Sequence, residues 1–266
     1  GITAVATSSS PSSQLYTPAL LLFNNTKFNV GMGYLTLPLD RRIYGLSASY
    51  VIKRDAAVGF MWLNSTVNNL WERDIDGYKT GELNNSENAL YFTFNKSIGR
   101  YVSIGGSFKY VQANLYGLSA YSVGSDVGIA ARLFRNKLIL GTSRKNLGVK
   151  YPWDSGEVYG HGVTSTEVFP QSFEFGVSYN DTLFIPFTLL GELQRRERAP
   201  EKFRAGIELT PIKYLDIRLG YDGDRVNFGG GINYSQLGYN FEFNWAYISS
   251  PLGLSPAQVF TLSFKF

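Results

Sequence analysis

The sequence predicts an all-β chain, namely a transmembrane antiparallel up-and-down β-barrel of about 14 strands with a short N-terminal plug segment. Three observations predict it. Apolar and polar side chains alternate with period two along most of the 266 residues, as they do in a strand and not in a helix. Aromatic residues make up 15 % of the chain and charged residues only 17 %, well under the usual quarter, which suits an aromatic exterior in lipid. The stretch Val259–Phe266 puts Phe260, Leu262, Phe264 and Phe266 on one face and Thr261, Ser263 and Lys265 on the other. A final strand of that kind, paired with the first, closes the ring and leaves no sheet edge.

The chain reads as a single domain over residues 1–266. Residues 1–24 are a leader, either a flexible terminus or a plug that enters the barrel, and residues 25–266 are the barrel. Ser8-Ser9-Ser10-Pro11-Ser12-Ser13 is low in complexity. The longest apolar run, Ala19-Leu20-Leu21-Leu22-Phe23, is too short for a membrane-spanning helix. With no Cys in the chain, disulfides and thiolate metal sites are excluded. The net charge of +4 is scattered, which argues against a nucleic-acid surface.

Alternation starts near Phe28, with Val30, Met32 and Tyr34 on the same face. Further strands are expected at about 43–53, 56–64, 86–96, 101–115, 120–134 and 137–146. After a gap come about 171–179, 184–195, 201–210, 213–222, 225–234, 236–248 and 257–266. The clearest places Leu237, Tyr239, Phe241, Phe243, Trp245 and Tyr247 on one face, with Tyr near both ends, as two aromatic girdles require. The strand near 202–209 decides which face meets lipid. Phe203, Ala205, Ile207 and Leu209 alternate with Lys202, Arg204, Gly206 and Glu208. A basic side chain facing lipid at midplane costs roughly 2–4 kcal/mol, so the polar set faces the lumen. A soluble sandwich would instead bury the apolar face in a core.

Connections fall into two sets. The short ones include Lys53-Asp55, Ser97-Arg100, Arg135-Asn136, Asn180-Thr182, Thr210-Pro211 and Ser235-Gln236. The long ones are about 65–85, 147–170 and 249–256. With both termini periplasmic, every short connection is periplasmic and every long one lies outside the cell, which locates the chain in a bacterial outer membrane.

Several segments resemble a known family. Gly1–Ala6 followed by Tyr16-Thr17-Pro18-Ala19-Leu20 resembles the leader of the PorV/FadL-like outer-membrane barrels, with Thr17 and Leu20 departing from its Asn and Gly. Gly105-Gly106-Ser107-Phe108-Lys109-Tyr110, Ser125-Asp126-Val127-Gly128-Ile129 and Leu138–Gly148 are similar to its paired middle strands. Ala246-Tyr247 through Pro251-Leu252-Gly253-Leu254 to Phe266 resembles its closing segment, and a terminal Phe resembles the signal read by the barrel-assembly machinery. The resemblance implies a 14-stranded barrel with one of two roles. A PorV-like protein binds a protein partner, at its outer loops or within the membrane, as a component of a secretion or envelope complex. A FadL-like protein passes hydrophobic small molecules inward past an N-terminal hatch.

The inward charges are Lys109, Asp126, Arg132, Glu174, Glu192, Lys202, Arg204, Glu208, Asp216, Arg218 and Glu242. They mix both signs, so they read as an ion network that fills the lumen, or as contacts to a ligand or plug, more than as a one-sign selectivity ring. The inward glycines Gly105, Gly128, Gly206 and Gly220 let a backbone or plug approach closely. Gly229-Gly230-Gly231 lacks the context of a phosphate loop and reads as local strand flexibility. Trp62 suits a girdle, while Trp71, Trp153 and His161 mark the long loops where a partner would bind. His161 has Asp154, Ser155 and Glu157 nearby, but their spacing forms no catalytic motif, and one His without Cys makes a poor metal site. The chain therefore reads as a non-enzyme without cofactor or metal, whose surroundings are outer-membrane lipid and a protein partner.

Overall fold

The computed structural model describes residues 11–23, 26–156, 161–236, 238–250 and 254–266. Gly1–Ala6, Glu157, Leu237 and Pro251–Gly253, which carry parts of the sequence reading, lie outside the described residues. Fourteen strands close into one antiparallel barrel. β1 (Phe28–Leu37), β2 (Arg41–Lys53), β3 (Ala56–Arg73), β4 (Lys79–Ile98), β5 (Val102–Leu115), β6 (Leu118–Leu133) and β7 (Leu138–Leu147) follow one another round the ring. β8 (Lys150–Asp154) and β9 (Thr164–Val168) form a separate hairpin. β10 (Ser172–Thr182), β11 (Pro186–Arg196), β12 (Lys202–Ile212), β13 (Leu215–Tyr221), β14 (Val226–Gln236), β15 (Tyr239–Ile248) and β16 (Ala257–Lys265) complete the ring, with β10 beside β7. β16 closes on β1 from Asn29 opposite Lys265 to Thr36 opposite Gln258. Phe266 and Phe28 extend the closure with two backbone hydrogen bonds, N–H of Phe266 to O of Phe28 at 2.8 Å and the reverse at 3.2 Å.

The alternation has the predicted sense. Phe264 and Phe266 stand exposed on the outside while Ser263 and Lys265 are buried inside, and Phe260 and Leu262 continue the outer row. Every turn at the end carrying Phe28 and Phe266 is short. The sheet departs from the sequence reading in three places. First, residues 65–85 are mostly strand: β3 and β4 pair up to Arg73 and Lys79 round a turn at 74–78. The outward row there turns polar at Asn64, Thr66, Ser86 and Asn88. Where both faces of a strand meet water, nothing enforces alternation, and a bulge between Val67 and Leu70, with Asn69 at φ 57°, shifts what pattern remains. Second, residues 147–170 contain the β8–β9 hairpin. Third, Asn180–Thr182, Thr210–Pro211 and Ser235–Gln236 are strand ends, and the turns follow them. Pro211 is tolerated because the β12–β13 register shifts between Leu209 and Ile212, so its missing N–H falls where the ladder is already interrupted.

Two 3₁₀ segments, Pro11–Leu15 and Pro18–Phe23, lie inside the ring and plug it. Ala19 and Leu20 have no exposed surface, and Leu21, Leu22 and Phe23 are buried with them against Ala57, Ala130 and Ile139 of the wall. A plug must satisfy its own backbone because it joins no ladder. Leu22 N–H donates to Asn95 Oδ1 (2.9 Å), Ser143 Oγ donates to the Tyr16 carbonyl (2.8 Å), and Gln14 Nε2 donates to the Phe60 carbonyl (3.0 Å). Three inward glycines make room. A Cβ at Gly105 would lie 2.4 Å from the Pro18 carbonyl carbon, one at Gly128 would lie 2.1 Å from Thr17 Oγ1, and one at Gly59 would lie 2.3 Å from Gln14 Oε1.

Overpacking of this kind costs about 1–3 kcal/mol. Gly105→Ala is therefore expected to dislodge the plug without opening the ring. The chain has no native Cys, so a Leu20→Cys reporter gives a clean readout. Its labelling by a water-soluble maleimide should rise roughly tenfold in the Gly105→Ala background. Unchanged labelling would mean that the glycine is not what admits the plug.

Candidate functional site: the two-sided lumen

From β5 to β16 the inner wall carries an ion network. Lys109 pairs with Asp126 at 2.9 Å, both almost fully buried, and its ammonium also donates to Asn146 Oδ1 at 2.6 Å. Lys145 pairs with Glu174 at 2.5 Å, and Gln194 Nε2 donates to the same carboxylate at 2.7 Å. Arg204 bridges Glu192 and Gln194. Arg218 reaches Glu208 (2.5 Å), Asp216 (3.1 Å) and Asn244 Oδ1 (2.6 Å). Lys265 is held by Glu242, which also accepts from Ser263 Oγ at 3.2 Å. The chain of contacts thus steps from strand to strand. Gly231 is part of it, since a Cβ there would fall 2.8 Å from Arg218 Nη1 and 2.5 Å from Asn244 Oδ1. Gly231 is therefore space for a guanidinium.

The predicted lumen residues Lys109, Asp126, Glu174, Arg204, Glu208, Asp216, Arg218 and Glu242 all fall in this network. Arg132 does not: its guanidinium stacks on the plug's Phe23 ring at 4.1 Å. Lys202 sits at the mouth, half exposed, 3.6 Å from Asp224. Sequence reasoning missed Lys145, Asn146, Gln194 and Asn244. The parity of Ile139, Gly141 and Ser143 points Lys145 inward, and the amides carry no charge to flag them. A polar cavity of about 470 Å³ opens onto Lys109, Lys145, Glu174, Glu192 and Arg204.

The wall from β1 to β3, with β16, is different. Among the described residues no charged side chain lines its cavity. Gly31, Gly33, Ile43, Gly45, Met61 and Leu63 face the plug's Leu15 and Tyr16 across a cavity of about 160 Å³. Gly33 and Gly45 are directly paired, so the wall there is little thicker than its backbone, and Met32 and Leu46 of the outer face reach the same cavity.

At the far end the β8–β9 hairpin turns inward. Val149 and Tyr151 bury against Val111, Ala113 and Ala120 of β5 and β6, with Trp153 and Phe169 packed beside them. Gly124 permits this, since a Cβ there would lie 2.3 Å from Val149 Cγ2. Burial first, then the carboxylates of Glu87 and Glu167, push the Tyr151 hydroxyl up to about 12, so it stays neutral. Trp153 donates to Glu167 at 3.4 Å and is half-buried, whereas Trp71 is exposed on the β3 extension with Lys79 over its ring at 4.0 Å. Trp62 faces outward below the polar row and donates to Asn88 Oδ1 at 3.2 Å, the geometry of a girdle residue. His161 is exposed, and Ser155 beside it is engaged by Val163 through both its hydroxyl and the Val163 N–H. Among the described residues no three His, Cys, Asp or Glu side chains converge on a metal position.

No family model matches the chain, and no curated protein matches its sequence. Solved structures do match its fold. The toluene transporter TbuX of Ralstonia pickettii aligns over 100 % of this chain and 97 % of its own, at 12 % identity and a TM-score of 0.69. The toluene transporter TodX of Pseudomonas putida aligns over 99 % and 96 %, at 13 % identity and 0.65. A Pseudomonas aeruginosa FadL homologue aligns over 99 % and 96 %, at 8 % identity and 0.63. The fold is that of FadL-like outer-membrane barrels. Of the two sides of the sequence resemblance, these neighbours favour the FadL side over the PorV side.

Removing one member of a buried pair leaves an uncompensated charge, at a cost of about 3–5 kcal/mol. Asp126→Ala is expected to destabilise the folded barrel by that amount in urea titrations in lipid. Adding Lys109→Met should recover most of it. Lys202→Ala at the mouth should stay within about 0.5 kcal/mol of the parent.

Proposed function

We propose that the barrel passes small, uncharged, apolar molecules across the outer membrane, with both termini periplasmic, along the gap between the plug and the β1–β3 wall. The observation that carries this reading is the apolar cavity of about 160 Å³ beside Leu15, Gly33, Met61 and Leu63. An apolar void of roughly 150 Å³ stays dry and accepts benzene. The two toluene transporters among the structural neighbours support the same class of cargo. A charged molecule would have to leave water for a wall without ionic partners, which is costly.

The test is uptake of labelled toluene by cells carrying the barrel, compared with benzoate. Gly33→Leu would fill the cavity from the wall, where a Cβ meets only Thr261 Cγ2, at 3.7 Å, and the Phe260 carbonyl oxygen. Toluene uptake should fall roughly tenfold in this variant, from loss of about 1.4 kcal/mol of favourable occupancy, while the folded fraction stays unchanged. Equal uptake by parent and variant, or uptake no better than in cells lacking the barrel, would overturn the reading. The assembly role has one surface in its favour, the β3–β4 turn, where Ile75 and Tyr78 stand exposed beyond the ring. A stoichiometric protein recovered with the barrel in mild detergent, and lost when residues 74–78 are replaced, would support that role instead.

A further inference from the structure

The two rims of the barrel differ in charge. At the rim that carries the chain's closure, Lys27, Lys53, Arg54, Arg100, Arg135 and Lys213 are all exposed, and no carboxylate pairs with any of them among the described residues. Among the described residues the acids on the outside of this rim are Asp55 and Asp181, both half-buried. Each is already held by a lysine, Asp55 by Lys96 and Asp181 by Lys137 at 2.7 Å. The opposite rim mixes signs: Arg41 and Arg42 stand near Asp40, Arg195 near Glu201, and Lys202 near Asp224. Among the described residues these cations lie on five separate segments, at the start of β1 and on the β2–β3, β4–β5, β6–β7 and β12–β13 turns, with none on the β10–β11 turn, so the arrangement is an open collar and not a point site.

Aromatic rings are interleaved with it. Tyr101, Phe134 and Tyr214 are exposed on the same turns. Lys27 lies over the Tyr50 ring at 6.0 Å and Lys213 over the Tyr214 ring at 5.5 Å. Aromatic rings sit at headgroup depth, and long basic side chains extend from that depth with their stems on apolar surface and their charges in the polar layer. Like charges spaced round a ring repel one another unless a counter-charge lies among them. The lumen supplies none, because its carboxylates are consumed by the internal network.

We propose that this collar binds the phosphate groups of anionic glycerophospholipids in the leaflet it faces. Each basic residue near an anionic surface is drawn to it, and the attraction falls off within a Debye length. The partner's chemistry follows from the pattern. A shell of separate phosphates matches cations spread over separate turns, whereas a single acidic protein would need them gathered on one side. The closure rim then lies in the phospholipid leaflet, which places Lys27 and Phe266 on the periplasmic side. The proposal is independent of what the lumen carries.

The experiment compares spin-labelled phosphatidylglycerol with spin-labelled phosphatidylcholine bound to the full chain in phosphatidylcholine bilayers, read as the motionally restricted fraction. The parent should prefer phosphatidylglycerol by about threefold, and roughly half-molar salt should remove the preference. A variant combining Lys53→Gln, Arg54→Gln, Arg100→Gln and Arg135→Gln should lose it, while Arg41→Gln with Arg42→Gln at the other rim should keep it. All four collar positions are exposed turn or strand-end residues, and folding is checked by heat-shifted gel mobility. No preference in the parent, an unchanged preference in the collar variant, or loss in the Arg41/Arg42 variant would overturn the proposal. So would labelling of an Arg100→Cys variant by an impermeant maleimide in intact cells, since that would put the collar in the other leaflet.

Discussion

Everything in this structure depends on the pairing of β16 with β1. Lipid offers no hydrogen-bond partner to a backbone amide, so a sheet can span it only when no edge remains. Closure also removes a freedom that an open sheet keeps. Once Val30 faces Phe264 and Gly31 faces Ser263, a slip by one residue anywhere in the ring would turn an entire strand's polar row toward lipid. With two lumen-facing charges on one strand, as in Arg204 and Glu208 of β12, such a slip would cost a few kcal/mol for each charge turned to lipid. Register is thus held collectively, and the division into an aromatic outside and an ionic inside follows from closure.

The inside is itself divided. An ion network of mixed sign contributes little net stability, because desolvation offsets much of its Coulomb energy. What it does supply is order: Arg218 ties β12, β13 and β15 together and needs Gly231 in order to lie flat. The β1–β3 wall has small and apolar residues in place of charges beside the smaller cavity, and the plug packs from β3 round to β6, with Gly59 accommodating Gln14, Gly105 accommodating Pro18 and Gly128 accommodating Thr17. Where the plug meets the charged wall it offers rings and polar backbone: Lys145 lies over the Tyr16 ring at 5.5 Å and Arg132 over the Phe23 ring at 4.1 Å, so the cations there keep a partner.

How much was legible follows from what enforced the pattern. Where one face meets lipid and the other meets the lumen, alternation is compulsory, and strand number, facing and closure could all be read from residues such as Phe203–Leu209. Above the membrane the enforcement stops. Asn64, Asn88 and Gln112 are polar on the outer face of real strands, and the β3–β4 extension therefore read as a loop. The ionic residues of the site were legible because an inward charge is conspicuous in a lipid-exposed strand. The apolar cavity was not, because Gly33, Gly45 and Met61 carry no signal that separates a cavity wall from ordinary strand filling. Its existence depends on where the plug lies, a long-range fact that no local spacing encodes.

The larger of the two cavities is not the better passage for apolar cargo. The space of about 470 Å³ beside Lys109, Glu174 and Arg204 is polar and roomy enough for water, which finds several partners there. An apolar molecule entering it would displace hydrogen-bonded water and return none of those bonds. The smaller space beside Gly33 and Met61 asks for no such exchange, and filling it removes the entering molecule's apolar surface from water. Chemistry, not volume, therefore divides the lumen into two environments, one suited to water along the ion network and one suited to apolar molecules along the glycine-lined wall. The plug lies between them, with Tyr16 and Leu15 lining both cavities. Any shift of that segment changes the two spaces together, so the residues that fix the plug also set the passage.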